Sequence, residues 1–251
     1  MNVDDLVDRV LGSDRATDER LLGELEVLLY SIAEHASAVR VLEKILEIKE
    51  REFGPDHREV VFALKHLGGT YGSLGDYAKW RDLLERALAI QEREYGRDHK
   101  EVAGTLMGLG NAYGSLGDYA KKRDLLERAL AILEREYGSE NVVVALALGN
   151  LANAHGSLGD YVKQRDVLEH ALAILERKFG RDHTTVASTL SDLGDAHGSL
   201  GDNAKARELL ERALAIQERE YGGDHVYVAR TLRNLGNAHY KLGDNAKARG
   251  L

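Results

Sequence analysis

The segment LGDYAKWRDLLERALAIQEREYG, residues 74–96, recurs along this 251-residue chain with few changes. Further copies begin at Leu116, Leu158 and Leu200, and a shorter one begins at Leu242. Each copy starts 42 residues after the one before it (from 74 to 116, for example), with no insertion. A fixed period of this length predicts one structural unit stacked on copies of itself, without a single central core.

Two helices are predicted in each period, because apolar residues recur with helical spacing on both sides of the Gly-Asp pair. Gly75 is expected to end the first helix, since glycine adopts positive φ without steric cost. Asp76 is expected to cap a second helix at 76–95. The first helices are predicted at 57–73, 99–115, 141–157, 183–199 and 225–241, four of them capped by Asp56, Asp98, Asp182 and Asp224.

The N-terminal part departs from this regular pattern. Residues 1–14 are expected to form a helix that caps the first repeat, although a segment that folds into a binding groove and blocks it is the alternative. Residues 15–54 are predicted to form a degenerate first repeat, in which Ala33-Glu34 stands where later copies have Gly-Asp. The other predicted domains are repeats 2 to 5 at 55–96, 97–138, 139–180 and 181–222, and a truncated repeat 6 at 223–251.

The composition narrows the possible functions. A net charge of −8 disfavours nucleic acid as a partner, because phosphate binding needs an excess of Lys and Arg. The chain has no cysteine, which excludes disulfides and thiolate metal sites. It has no signal-peptide pattern and no apolar stretch long enough to span a membrane, so we expect a cytoplasmic protein without a membrane partner. No catalytic, phosphate-binding or dinucleotide motif is present, and we expect neither enzyme activity nor a cofactor.

The repeats carry a recognisable motif. Leu67-Gly68-x-x-Tyr71, followed by Gly75-Asp76-Tyr77 and Ala87-Leu88, resembles the tetratricopeptide repeat signature. The 42-residue period and the GRDH or GGDH linkers resemble the longer variant of this repeat that kinesin light chains contain. The resemblance covers about residues 15–251 and implies an all-α fold, namely a right-handed α-solenoid of antiparallel helix pairs.

One position of the second helix departs from the family pattern. The family has a small residue there, as at Ala206, but three earlier repeats have Trp80, Lys122 and Gln164. We expect these second helices to lie further out, or these side chains to turn to the edge.

Three histidines occupy the tyrosine position of the motif in the later repeats. Stacked helices lie about 8–10 Å apart, whereas ligands of one metal ion must each approach it within about 2 Å. We therefore expect packing residues and no metal site at His155, His197 and His239.

The resemblance implies that the first helices line a concave binding surface. Asparagines recur at these positions, and an amide side chain can pair with the backbone of an extended peptide of any sequence, because it both donates and accepts hydrogen bonds. The alternative is that they bond to neighbouring helices. The candidate peptide- or partner-binding residues are Lys65, His66, Met107, Asn111, Asn150, Asn153, Asp192, Asp195, Arg230, Arg233, Asn234 and Asn237.

Glycines recur one helical turn further along the same helices, at Gly72, Gly114, Gly156 and Gly198. Glycine costs about 1 kcal/mol against alanine in a helix, so its repetition indicates a steric requirement. These glycines either form a smooth floor for another backbone or relieve crowding on the inside of the curve.

A non-enzymatic protein–protein interaction scaffold that binds a peptide or partner segment in the concave groove is the function that these features favour. One alternative is a self-assembling structural module, a homo-oligomer formed through an uncapped C-terminal end. Another is the sensor or recruiting half of a larger regulator.

Overall fold

The structure is a computed structural model that describes residues 3–13 and 18–250. The predicted boundary between the capping helix and the first repeat, at 14/15, and the last predicted residue, 251, lie outside the described residues. The described part of the chain is helical and contains no strand. Its helices are α1 Val3–Leu11, α2 Glu19–Ser31, α3 His35–Phe53, α4 Val61–Ser73, α5 Tyr77–Tyr95, α6 Lys100–Ser115, α7 Tyr119–Tyr137, α8 Val142–Ser157, α9 Tyr161–Phe179, α10 Thr184–Ser199, α11 Asn203–Tyr221, α12 Val226–Lys241 and α13 Asn245–Gly250.

The chain forms two compact units, residues 1–132 and 133–251. In each unit, helices that follow one another along the chain pack against each other, such as α4 on α5 and α10 on α11. Helix pairs also pack on the next pair, through α5 and α6 in the first unit and α11 and α12 in the second. The predicted all-α fold of stacked antiparallel helix pairs is therefore confirmed.

The turn between the two helices of a pair follows the predicted chemistry. Gly75 has φ 81°, and its equivalents in later repeats have φ between 78° and 88°. The Asp76 carboxylate accepts a hydrogen bond from the Lys79 backbone N–H at 3.1 Å, and the equivalent aspartates do the same. In the first repeat the turn residue is Ala33, which adopts φ 60°.

The predicted caps of the first helices were wrong by one residue. The histidine after each predicted aspartate is the N-cap, since its Nδ1 atom accepts a hydrogen bond from the backbone N–H two residues later, as from Glu101 to His99 at 3.3 Å. The cap histidine also stacks on the aromatic residue that ends the previous helix, with ring centroids 5.0 Å apart for Tyr95 and His99. The other caps are His57, which begins a 3₁₀ turn, His183, His225 and, in the fourth repeat, Asn141.

The three large side chains at the small-residue position do not turn to the edge. Trp80, Lys122 and Gln164 each lie against the glycine eight residues earlier in the partner helix. A Cβ atom added to Gly72, Gly114 or Gly156 would come within 2.6–2.7 Å of these side chains. The recurrent glycines therefore relieve crowding inside a helix pair, and the smooth-floor interpretation of these three glycines is wrong.

Helix α1 packs against α3 in the first unit. Its Val7 is fully buried in a cluster with Leu22, Leu25 and Val41, among others. The Ser37 hydroxyl donates to the Asp4 carboxylate at 2.8 Å, and Arg40 pairs with Asp8. Helix α1 thus covers apolar surface of the first helix pair.

Arginines of the second helices hold the loops between repeats. Arg212 donates to the Arg181 carbonyl at 2.7 Å and pairs with Glu176 at the same distance. Arg86 and Arg128 make the equivalent contacts in the first unit. His170 occupies this position in the fourth repeat.

Candidate binding surface

In each unit, the exposed and half-buried side chains of the first helices form a candidate binding surface. We call this surface the first-helix face; it comprises side chains of α2, α4 and α6 in the first unit, and of α8, α10 and α12 in the second. The twelve candidate residues belong to α4 and α6 of the first unit and to α8, α10 and α12 of the second, and the two units are described separately below.

In the first unit, the candidate residues on α4 stand beside apolar side chains. His66 is exposed and lies over Phe62, with ring centroids 4.0 Å apart. Phe62 itself is 68% exposed. Lys65 is half-buried and lines the same cavity of about 290 Å³ as these two rings. Met107 and Asn111 of α6 are half-buried and line neither this cavity nor the one described next.

A larger cavity of about 510 Å³ opens between α2 and α4. Val27 and Tyr30 form its apolar wall, and both are at least half exposed. The buried Glu26 carboxylate lies 3.6 Å from Nδ1 of His66 at its border. Sequence reasoning missed Glu26, Val27 and Tyr30, because the first repeat is degenerate. Extending the 42-residue period backwards would have found two of them, since it aligns Val27 with Gly69 and Tyr30 with Gly72.

In the second unit, an ion pair joins two adjacent first helices. Arg230 of α12 contacts the Asp192 carboxylate of α10 at 3.1 Å. About half of the Asp192 side chain is accessible, yet the surrounding helices desolvate its carboxylate and raise its pKa. Arg230 opposes this change of the pKa, and Asp195 adds to it.

A buried polar network positions this ion pair. The hydroxyl groups of Ser191 and Thr231 lie 3.0 Å apart, and the Thr231 hydroxyl donates to Gln217 at 2.7 Å. All three residues are at most 1% exposed. Because Ser191 precedes Asp192 and Thr231 follows Arg230, the network sets the register of α10 against α12.

The remaining candidates of the second unit divide into two groups. Asp195, Asn234 and Asn237 line one small cavity of about 70 Å³ between α10, α11 and α12. The side-chain amides of Asn234 and Asn237 make no hydrogen bond to any described residue, so the alternative of bonds to neighbouring helices does not apply to them. Arg233 is exposed. Asn150, which is half-buried, and Asn153, which is exposed, lie on α8 and do not line the cavity.

The residues at the tyrosine position connect successive repeats. The Tyr71 hydroxyl donates to Glu43 of the preceding second helix at 2.6 Å. His239 is buried at the same position, with Nδ1 3.6 Å from Asp244 and Nε2 4.0 Å from Glu211. Among the residues that the structure describes, no group of three or more His, Cys, Asp or Glu could hold a metal ion.

Within the described part of the chain, no helix is both long and apolar enough to cross a membrane.

The geometry defines a class of protein, namely a helical-repeat protein in which helix pairs stack on one another within each unit. The chain belongs to the tetratricopeptide repeat family, since the profile of this family matches residues 27–93, 73–135, 101–177, 143–219 and 185–251. The family indicated by the repeat motif is thereby confirmed, and this fold is consistent with protein–protein interaction. No functionally curated protein matches the chain.

Solved structures show the same fold. A Podosopora anserina protein of the kinesin light chain type, with nearly identical TPR-like repeats, is 24% identical with a TM-score of 0.71, covering 83% of this chain and 99% of that one. BtubC (BKLC) from P. vanneervenii is 26% identical with a TM-score of 0.71, covering 86% and 85%. A Rap protein complexed with Competence and Sporulation Factor is 14% identical with a TM-score of 0.60, covering 90% and 70%.

Proposed function

We propose that this chain is a non-enzymatic scaffold that binds an extended segment of a partner protein at its first-helix face. The arrangement of Asn234 and Asn237 carries the proposal. Both amides lie on this face and bond to no other described residue, so they are available to a ligand backbone. The nearby Arg230–Asp192 pair offers one charge of each sign to the same segment.

The first unit supports the same function with different chemistry. Its first-helix face exposes Phe62, Val27 and Tyr30 around cavities that are large enough for side chains. Large exposed apolar groups on one surface mark interaction sites in soluble proteins. The Rap protein in complex with Competence and Sporulation Factor is an example of this fold with a bound partner.

A random peptide library displayed on phage and selected on the immobilised chain tests the proposal. The selected peptides should bind the wild type, and Asn150→Ala/Asn153→Ala/Asn234→Ala should weaken binding about tenfold or more. Each lost hydrogen bond is worth about 0.5–1.5 kcal/mol, and 1.4 kcal/mol corresponds to a factor of ten. Glu218→Ala on the exposed side of α11 is the control, and circular dichroism verifies that helicity is kept. Undiminished binding by the triple variant contradicts the proposal.

Self-association is the second candidate. Val226 and Tyr240 of α12 are 70% and 69% exposed, and a second copy of the chain would cover them. Light scattering over a hundredfold range of concentration measures the mass, and a constant monomer mass rules this candidate out.

A further inference from the structure

The repeats differ in what covers the glycine at the end of their first helix. In repeats 2 to 4 the side chain of Trp80, Lys122 or Gln164 lies on it. Repeat 5 has Ala206 at this position, and a Cβ atom added to Gly198 would lie 3.8 Å from the Ala206 Cβ, an ordinary van der Waals distance. The space that a long side chain fills in the other repeats is therefore open in repeat 5, as the cavity of about 70 Å³ between α10, α11 and α12.

The lining of this cavity is about half polar and carries both charges. Asp195 and Lys241 lie at its border, together with Asn234 and Asn237. The Lys241 ammonium donates to the Gly198 carbonyl at 3.1 Å, which holds α12 against the end of α10. A charged ligand group would meet one like and one opposite charge at this border, so a net charge gives it no advantage over a neutral polar group.

Asn203, one of the residues that line the cavity, has an unused acceptor. Its Nδ2 atom donates to the Gly201 carbonyl at 3.2 Å, and its Oδ1 atom is buried without a hydrogen-bond partner among the described residues. Buried acceptors in native proteins nearly always accept a hydrogen bond from protein, water or ligand, because a buried acceptor without a hydrogen bond is costly in free energy. A donor that reaches Oδ1 of Asn203 from the cavity would satisfy this acceptor.

We propose that this cavity is a side-chain subsite that receives a primary carboxamide, as on a glutamine of the bound segment; the inference rests on the proposed function. The chain itself supplies the precedent. The carboxamide of Gln164 lies on Gly156, with its nitrogen, carbon and oxygen 2.7–2.8 Å from the place of an added Cβ. A ligand carboxamide on Gly198 would occupy the matching place, donate to Asn203 and accept from Asn237 or Lys241.

Nuclear magnetic resonance of the ¹⁵N-labelled full chain tests the subsite with three probes: N-acetyl-glutamine N-methylamide and its glutamate and norleucine counterparts. The glutamine probe should shift the amide signals of Gly194, Gly198 and Lys241, with a Kd at least tenfold below those of the other two. Ala206→Gln should abolish these shifts, because its side chain fills the cavity as Gln164 does in repeat 4. Ala204→Gln, which adds the same group at an exposed position, should leave them unchanged.

Asn203→Ala provides a second variant in case Ala206→Gln disturbs folding. It removes the buried acceptor and should weaken binding of the glutamine probe at least fivefold. Equal shifts with all three probes would show binding without selectivity for a carboxamide, and no shift at all would show a cavity that holds water only; either result overturns the subsite. If phage-selected peptides bind wild type and Ala206→Gln equally, the subsite fails and the proposed function stands. If the glutamine probe binds but no peptide is selected, the proposed function fails and the cavity remains a carboxamide site.

Discussion

The indole ring of Trp80 lies against Gly72 so closely that a Cβ atom on residue 72 would come within 2.7 Å of its Cε3 atom. This contact explains how a tetratricopeptide repeat accommodates tryptophan where a small residue is usual. The space that the side chain needs is provided by the glycine of the partner helix, eight residues earlier.

Gly72→Ala is therefore expected to destabilise the chain by about 1–3 kcal/mol, the usual cost of overpacking a filled site. The ring atoms of Trp80 are rigid and cannot move aside as the end of the Gln164 side chain can. Urea unfolding of the two variants Gly72→Ala and Gly156→Ala measures the difference, and Gly156→Ala should cost less.

Gly198→Ala is the matched control for that experiment. Its added Cβ meets only Ala206 at 3.8 Å, so the better helix propensity of alanine should stabilise the chain by up to about 1 kcal/mol. A loss as large as that of Gly72→Ala would contradict the packing explanation. The double variant Gly72→Ala/Trp80→Ala should recover part of the loss, since the clashing ring is absent.

Ala33→Gly is expected to stabilise the first repeat by about 0.5–1 kcal/mol. Ala33 holds φ 60°, where the equivalent turn residue of every later repeat is glycine. Glycine adopts this positive φ without the steric cost that alanine bears. The free energy gained in this way exceeds the cost of the extra conformational entropy that glycine gives the unfolded chain. Ala36→Gly in the first turn of α3 is the opposite control and should destabilise by up to about 1 kcal/mol, the cost of glycine against alanine in a helix interior. Thermal unfolding of both variants is the measurement, and a lower Tm for Ala33→Gly would refute the expectation.

Lys122 is expected to make the stability depend on pH in the alkaline range. Lys122 is only 7% exposed, and burial lowers the pKa of its ammonium group below the ordinary 10.5. Between the folded pKa and 10.5 the unfolded state binds more protons than the folded state, so stability rises with pH. Below this window both states are charged, and the folded state bears the full desolvation cost.

Lys122→Gln tests this dependence, because Gln164 shows that glutamine fits the position. The free energy of unfolding of wild type, measured relative to Lys122→Gln, should increase as the pH is raised from 7 towards 10.5. Lys121→Gln removes an exposed lysine next to Lys122 and is the control for the substitution itself. A constant difference for Lys122→Gln would mean that its ammonium is not desolvated.

Arg212→Met is expected to cost about 1–2 kcal/mol, since it removes a charge-assisted hydrogen bond to the Arg181 carbonyl together with the Glu176 ion pair. Conversely, His170→Arg should stabilise the fourth repeat, where the histidine makes no such loop contact. The exposed pair Arg207–Glu211, 3.8 Å apart, is the reference, and Arg207→Met should change stability by less than about 0.5 kcal/mol. Chemical denaturation compares the three variants, and equal effects of Arg212→Met and Arg207→Met would refute the role of the loop contact.

The sequence predicted the repeat, its two helices and the turn at Gly75-Asp76, because these depend on neighbours along the chain. The caps were assigned one residue early, to aspartates such as Asp98. Aspartate is a common cap, whereas His99 caps through its ring nitrogen and through stacking on Tyr95, a contact with the preceding helix. The binding residues stay a prediction, although the structure shows which of them share a cavity and which do not.

By itself, the sequence determined the family and the fold, since a strict 42-residue period with glycine and aspartate at one turn allows few other arrangements. Only the tertiary structure decided what the variable positions do. Trp80, Lys122 and Gln164 fill space over glycines of a partner helix, and Ala206 leaves the same space open. The physical reason is that volume in a packed interface is shared between helices. Whether a side chain or a cavity occupies this space depends on the glycine, on the residue eight positions later in the second helix, and on the helix that follows.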